Sequence, residues 1–503
     1  MCHPEARRTG FFIAELWDHV RVFLPITRHL TTHRLGVWSL AWVSAVTYGV
    51  LGLVKFGTFR TTIFDLVIVD QAVRGYSTLS APYAPSVGVQ KGAGLDFLQI
   101  ADHFSPIYAL LAPFYAINDD PRVLIFCQAI LFAAAIPFLW LYVRRRLGVA
   151  AAYLVSAAYA VSWPVAQAVN FDVHEVMFVP VLTAIMIERF DRGKRLPAYL
   201  AAFGLLLVKE DMGLMLIGFG AALALTRRRL DGALLAGMGL AGLLLIRGLL
   251  IPWAGGPEDN HWRYTHLGDS MPAALWKLIS DPLNTFQLVF MDAGKIDLLV
   301  LLCWLTLFLC LFSPLILAAA PLVLERLVSE NSLWWSWEYH YNAFVVVIVF
   351  CAGVDGAVRL RKRLAKRQTP EVVRVTTVAW AVAVAVVAVT QLPRFAFDQL
   401  ADPGFYDPYE RTAAAYEAMS KIPDGAVVEA ANHIGPMLTG RTTVLLWERT
   451  PRNAPWVLAD VAQWGWPWGS PDEQKQSVEE RRALGYMVVF EKDGFVVLHK
   501  PPN

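Results

Sequence analysis

Residues 170–211 read NFDVHEVMFVPVLTAIMIERFDRGKRLPAYLAAFGLLLVKED, and the fold turns on how this stretch sits in a bilayer. Two apolar legs, 176–188 and 196–208, flank a basic turn running from Arg189 to Arg195. Basic turns stay on the cytoplasmic side of a membrane, so both legs are pinned there at one end. Each leg has about 13 residues, which gives roughly 20 Å of helix against a hydrocarbon core of about 30 Å. The shortfall therefore lies at the far end. There the apices Asp172-His174-Glu175 and Lys209-Glu210-Asp211 sit below the outer surface, a depth at which ionisable groups are tolerated only in a wet cavity lined by protein. An outward-facing vestibule is expected. The alternative is that 196–226 forms one long tilted helix, with Lys209, Glu210 and Asp211 pairing among themselves at its middle.

The rest of the chain fits a membrane protein. Of 503 residues, 56% are hydrophobic and 17% charged, against roughly 25% charged in ordinary soluble proteins, and the mean hydropathy is +0.44. These values exclude a soluble globular enzyme, and a net charge of +2 points to no nucleic-acid partner. Cys127, Cys303, Cys310 and Cys351 lie in apolar runs and Cys2 at the terminus, so neither a disulfide framework nor a metal quartet is expected. Arg7, Arg8, Arg21 and Arg28 precede the first apolar stretch without a cleavage site, which predicts a retained anchor rather than a signal peptide.

Further basic clusters at Arg144–Arg146, Arg227–Arg229 and 359–367 (RLRKRLAKR) fix the remaining cytoplasmic points. Spans are expected at 35–54, 122–143, 149–169, 176–188, two within 196–226, 232–252, a hairpin over 298–324 broken at Ser313-Pro314, 342–358 and 372–392. The piece 104–118 is short and carries two prolines, so it reads as a re-entrant or interfacial helix. The tally is an α-helical multi-pass membrane domain over 1–393 with about eleven transmembrane helices, a cytoplasmic N-terminus and a long first outer loop, 55–121.

From Arg394 the composition turns soluble. A short helix near 410–420, strands VVEA (427–430) and TTVLLW (442–447), and a hairpin YMVVFEKDGFVVLHK (486–500) turning at Lys492-Asp493-Gly494 predict a small extracytoplasmic α/β domain over 394–503. Between the strands, Trp456, Trp464, Trp466 and Trp468 suit either sugar stacking or a membrane-surface belt around a small core.

Acids and imidazoles gather in the outer loops: Asp65, Asp70, Asp96, Asp102 and His103 in the first; Asp172, His174 and Glu175 in the second; Lys209, Glu210 and Asp211 in the third. The fourth adds Glu258, Asp259, His261 and His266, and the fifth Glu338, His340 and Tyr341. Carboxylates, imidazoles and a lysine converging on one cavity suit acid/base chemistry on a charged, lipid-linked substrate. The stretches FDLVIVDQ (64–71), DHFSPIYALLAPFY (102–115), NFDVHE (170–175), VKED (208–211) and WEYHYNA (337–343) resemble a bacterial family of predicted multi-pass membrane proteins that is similar in layout to the GT-C glycosyltransferase superfamily. The resemblance covers about residues 36–360, with a looser match in the C-terminal domain.

That resemblance implies an inverting transferase that takes a sugar from a polyprenyl-phosphate donor to an envelope glycan, lipid or protein acceptor. It implies that Asp65 is the general base, with Asp70 its competitor. On a helix the two would diverge by about 140°, so only one points at substrate. Gln71, Asp102, His103, Asp172, His174, Glu175, Lys209, Glu210, Asp211, His340 and Tyr341 make up the expected substrate-binding set, with Lys209, His103, His174 and His340 as candidates to face the departing lipid phosphate. No cofactor is certain. A divalent metal at Asp172 and His174 stays open, because their spacing is not diagnostic. The membrane lipid itself is a partner. A secondary transporter, or a non-catalytic lipid- or glycan-binding partner, is the competing reading; the charges lie at outer apices rather than mid-span, and no inverted repeat is visible.

Overall fold

The computed structural model describes residues 33–257 and 261–501. Glu258, Asp259, Cys2 and the arginines before Arg34 lie outside the described residues. The apolar runs form helices: α1 (Arg34–Gly57), α2 (Ile68–Ser77), α3 (Arg122–Leu147), α4 (Val149–Ala160), α5 (Trp163–Asn170), α6 (Val179–Asp191), α7 (Arg195–Leu206), α8 (Met212–Leu225), α9 (Arg229–Leu245), α10 (Ala293–Trp304), α11 (Ala320–Leu327), α12 (Val346–Leu364) and α13 (Pro370–Thr390). Five helical stretches, Arg34–Gly57, Arg122–Leu147, Val149–Asn170, Arg229–Trp253 and Pro370–Arg394, are long and apolar enough to cross a membrane. Others are shorter, among them Pro106–Ile117, α7 and α8.

One expectation holds and one changes. The run 196–226 forms two helices, as expected, and not the alternative single tilted one: α7 and α8 are separated by a turn at 207–211. The run 298–324 is not a pair of helical legs. Helix α10 ends at Trp304, Leu307 and Phe308 adopt left-handed backbone with φ of 53° and 61°, and single turns at Leu309–Phe312 and Pro314–Ala318 precede α11. Left-handed geometry at two bulky residues cannot continue a helix, and the Ser313 hydroxyl accepts from the Leu315 amide at 3.1 Å to start the next turn.

The helix ends sort into two layers. At one end Arg145 pairs with Glu188 at 2.6 Å and with Asp191 at 3.0 Å. There too Arg146 bridges Asp191 and Asp355 at 2.6 and 2.8 Å, and Arg228 donates to the Phe190 carbonyl at 2.5 Å. These contacts tie α3, α6, α9 and α12 together where the basic clusters lie. The opposite ends carry the acidic and histidine-rich turns. Between α8 and α9 the contact is backbone to backbone: a methyl group on Gly220 would lie 2.5 Å from the Gly232 carbonyl oxygen, and one on Gly213 the same distance from that of Gly239. Small residues at such a crossing let helices pack closely where no hydrophobic driving force separates them from lipid.

After α13 come α14 (Thr412–Met419), α15 (Pro471–Ala483) and a five-stranded sheet of β1 (Val427–Ala430), β2 (Thr443–Leu446), β3 (Trp456–Asp460), β4 (Met487–Lys492) and β5 (Phe495–His499). The order is β2-β1-β3-β5-β4, parallel at β2-β1-β3 and antiparallel beyond. The β4–β5 hairpin turns at Asp493 and Gly494, both with positive φ (49° and 84°), as a two-residue primed turn requires. Strand β3 takes up the first part of the segment expected to be a tryptophan-rich connection. Its run WVLAD is buried at all but its first residue, the pattern of a central strand covered on both faces. Helix α15 was not expected; Ser470 caps it, accepting from the Glu473 amide at 3.3 Å, and acids begin it while Arg481 and Arg482 end it, in keeping with the helix dipole. The apolar core under this sheet includes Phe59, Ile63 and Val67 from the first loop.

Candidate functional site

Asp65 sits in a single π-helical turn, Ile63–Val67, just ahead of α2. The turn is held from two sides. The Ile63 amide donates to the Asn432 side chain at 3.0 Å, and Thr62 donates from both its amide (2.9 Å) and its hydroxyl (2.7 Å) to Asp172. So anchored, the Asp65 carboxylate ion-pairs with Nε2 of His174. The His174 ring lies on that of His340, centroids 3.7 Å apart, and His340 lies 4.2 Å from Tyr341. Arg326 donates to the Tyr341 carbonyl and stands 4.9 Å over the Phe344 ring. Among the described residues no carboxylate forms an ion pair with Arg326, although it is buried. The Nδ1 atoms of His174 and His340 are buried without a hydrogen-bond partner.

The adjoining turns extend this cluster. Lys209 pairs with Glu175 at 2.8 Å, not with its chain neighbours, so the self-paired alternative fails, and Tyr108 donates to Glu175 at 3.3 Å. Glu210 meets Nδ1 of His103 at 2.8 Å and accepts the Phe104 amide at 3.1 Å. His103 stacks on His261 at 4.2 Å, and His261 reaches Asp102 at 2.9 Å. Asp211 pairs with Arg247, which also lies 3.7 Å from Glu325. Contacting ionisable groups thus run without a break from His103 to Asp102, and a parallel series runs from Asp65 through His174 to Tyr341.

Three expected roles are corrected. Asp70 is 0% exposed and accepts from Tyr115 (2.7 Å), Thr439 (2.7 Å) and Arg74 (3.1 Å); its oxygens are consumed by structure. Gln71 donates to the Val444 carbonyl of β2 at 3.0 Å, so its amide nitrogen fastens the first loop to the sheet. Asp172 is occupied by Thr62 and by Lys55 at 3.9 Å, while His174 turns to Asp65, so the pair does not form the metal site left open. Three groups could hold a divalent ion instead: the ligand atoms of Asp102, His103 and His261 lie within 4.8 Å of one another. Two imidazoles and a carboxylate suit zinc or a similar borderline ion; Lys91, 2.5 Å from Asp102, is the cation that such an ion would displace. In this loop layer Asp102 is held well below the usual carboxylate range, because its burial is outweighed by His261, His103 and Lys91. Burial and Lys209 pull His103 down, but Glu210 and Asp102 raise it overall, while burial and the charge on His103 keep His261 low.

The profile of a family described as "Predicted membrane protein (DUF2079)" matches residues 55–497. The chain belongs to the DUF2079 family. No curated protein matches its sequence significantly. Its fold is similar to that of ArnT from Cupriavidus metallidurans bound to undecaprenyl phosphate, at 11% identity and a TM-score of 0.51, with 94% of this chain and 100% of that one covered. The apo form of the same ArnT gives 12% identity, a TM-score of 0.50 and coverages of 93% and 99%. An oligosaccharyltransferase of Archaeoglobus fulgidus tethered to an acceptor peptide aligns at 11% identity and a TM-score of 0.42, over 86% of this chain and 70% of that one. The ArnT likeness extends to the fold of this DUF2079 protein.

Several groups in the DUF2079 site escape a reading by outer loops. Arg326 and Glu325 end the apolar run of α11, and Arg247 lies in a π-helical turn after α9, so hydropathy hides all three. A charge inside an otherwise apolar helix was the available signal, since such residues face a protein interior or a wet cavity. Tyr108 lies in the short 104–118 piece and carried no such signal.

Proposed function

We propose that this DUF2079 protein is an integral-membrane glycosyltransferase that moves a sugar from a polyprenyl-phosphate donor to a hydroxyl of an envelope glycan, lipid or protein. In this reading the helical domain, up to residue 393, crosses the bilayer several times, and residues 394–503 lie outside it. The single observation that carries the reading is the Asp65–His174 pair set beside the buried cations Lys209 and Arg326. The acceptor hydroxyl attacks the anomeric carbon as its proton passes to the Asp65 carboxylate. The bond from that carbon to the phosphate oxygen breaks, and the polyprenyl phosphate leaves from the opposite face, so the anomeric configuration inverts. His174 acts as a positioning residue that holds the carboxylate. Positive charge from Arg326 and Lys209 suits the charge that develops on the leaving phosphate. Asp102, His103 and His261 are the residues that would hold a divalent ion, which would supply further neutralising charge.

The test compares purified wild type with Asp65→Asn, matched for folding by thermal melting, in transfer from polyprenyl-phosphate sugars to acceptors in envelope extracts. Removal of a general base should lower transfer by about 10²- to 10⁴-fold. Equal transfer by both proteins would rule out Asp65 as the base. Absence of transfer from every donor by wild type would favour a non-catalytic partner or a transporter.

A further inference from the structure

A cleft of about 560 Å³ opens between the start of the first loop (Thr58–Thr62) and three segments of the C-terminal part, 404–410, 432–433 and 463–466. It lies apart from the ionisable cluster but touches it through the first-loop turn, where Thr62 lines the cleft and donates to Asp172. Phe64 packs edge-on against Trp466 at 5.3 Å, while its neighbour Asp65 turns the other way to His174. The cleft therefore ends against the turn that carries the proposed base.

Its walls combine exposed aromatic faces with hydrogen-bonding groups. Trp464 is 56% exposed and Trp466 49%, yet Trp464 is held in place, its indole N–H donating to the Trp468 carbonyl at 2.5 Å. Below Trp464, Trp468 is buried and packs on Trp447 at 4.6 Å. Around the exposed rings stand Asn432, Gln463, Asp407 and Glu410, with His433 oriented by Asp460 at 3.2 Å. The side-chain oxygens of Asn432 and Gln463 are engaged, by the Ile63 amide at 3.0 Å and by Tyr409 and Arg411 at 3.1 Å, which leaves the amide nitrogens turned to donate.

The geometry points to a saccharide-binding subsite that seats the acceptor glycan, and this inference rests on the transferase reading above. Rigid tryptophan faces match the C–H faces of pyranose rings, and planar amides and carboxylates match their hydroxyls. A membrane-surface role suits the surroundings less well. Interfacial tryptophans lie at headgroup level on an open surface, whereas here the rings line a concave cleft that also holds two exposed carboxylates, two amides and Arg60.

Full-length protein in nanodiscs is titrated with maltotetraose, cellotetraose and chitotetraose by calorimetry and saturation-transfer difference NMR. Saturable binding of at least one tetrasaccharide is expected, weakened at least tenfold by Trp464→Ala and largely kept by Trp464→Phe. Asp65→Asn should bind as wild type does, so loss of transfer with retained binding isolates the base from the subsite, and binding without any transfer by wild type overturns the transferase reading alone. Binding of none of the three sugars, or equal binding by Trp464→Ala, would overturn the subsite. So would quenching by brominated phosphatidylcholine of the fluorescence that Trp464→Ala removes, which would make Trp464 a membrane anchor.

Discussion

Asp65 and Asp70 are of one residue type, five positions apart, and their surroundings give them opposite parts. Asp70 is closed in by Tyr115, Thr439 and Arg74, whereas Asp65 keeps some exposure and one imidazole partner. Asp70→Asn removes a buried charge from a satisfied network and leaves Arg74 with Asp119 as its carboxylate partner, a change that should cost about 1–3 kcal/mol of stability. Turnover of the protein that still folds should stay near wild type. Thermal melting combined with the transfer assay checks this, and a folded Asp70→Asn protein that cannot turn over would return Asp70 to the chemistry. Asp65→Asn should show the reverse pattern, with stability kept and transfer lost.

Two elements allow sharper tests. The α8–α9 crossing depends on Gly220 and Gly232, since any side chain at Gly220 meets backbone rather than a flexible tip. Gly220→Leu should lower the melting temperature by forcing the helices apart, an overpacking penalty of about 1–3 kcal/mol or more; an unchanged melting curve would mean that the crossing is looser than described. In the sheet, Asp460 at the end of β3 meets Arg411 at 2.6 Å and His433 at 3.2 Å. Burial alone would raise its carboxyl, but His433 and Arg411 bring it down to about 2. A carboxylate whose pKa is depressed in the folded state stabilises that state above its ordinary value near 3.8 and loses the effect as pH falls toward 2. Tryptophan fluorescence of the sheet core should report roughly 2 kcal/mol of acid-dependent loosening between pH 4 and 2. In Asp460→Asn that increment should be missing.

At the scale of the whole molecule, the first loop and the C-terminal sheet behave as one body. Phe59, Ile63 and Val67 fill the sheet's core, Gln71 and Asp70 reach β2 and Thr439, and a methyl group on Gly435 would lie 2.3 Å from the Ile63 side chain. A chain ending at residue 393 would leave those apolar groups uncovered and Asp70 without Thr439. Limited trypsin digestion should then cut at Arg60 and Arg74 far faster than in the full-length protein; equal protection would show that the loop is ordered without the sheet.

Much of this architecture was legible locally. Apolar length located α1, α3 and α13, the basic clusters located the turns that tie α3, α6, α9 and α12 together, and the Asp493-Gly494 pair located the hairpin, because hydropathy and turn chemistry act within windows of one element. The acidic apices and their convergence also followed from legs too short to span. What tertiary structure decided was partnership: that Lys209 answers Glu175, that His174 answers Asp65, that Asp70 is walled in by a threonine from the sheet, and that Arg326 inside an apolar run belongs to the site. Those pairings join residues from separate loops, and the energy of an ionisable group depends on what stands within a few ångströms of it. Residue order does not carry that distance, so the sequence by itself determined where the charged groups collect, and only the packing decided which of them remain available for chemistry.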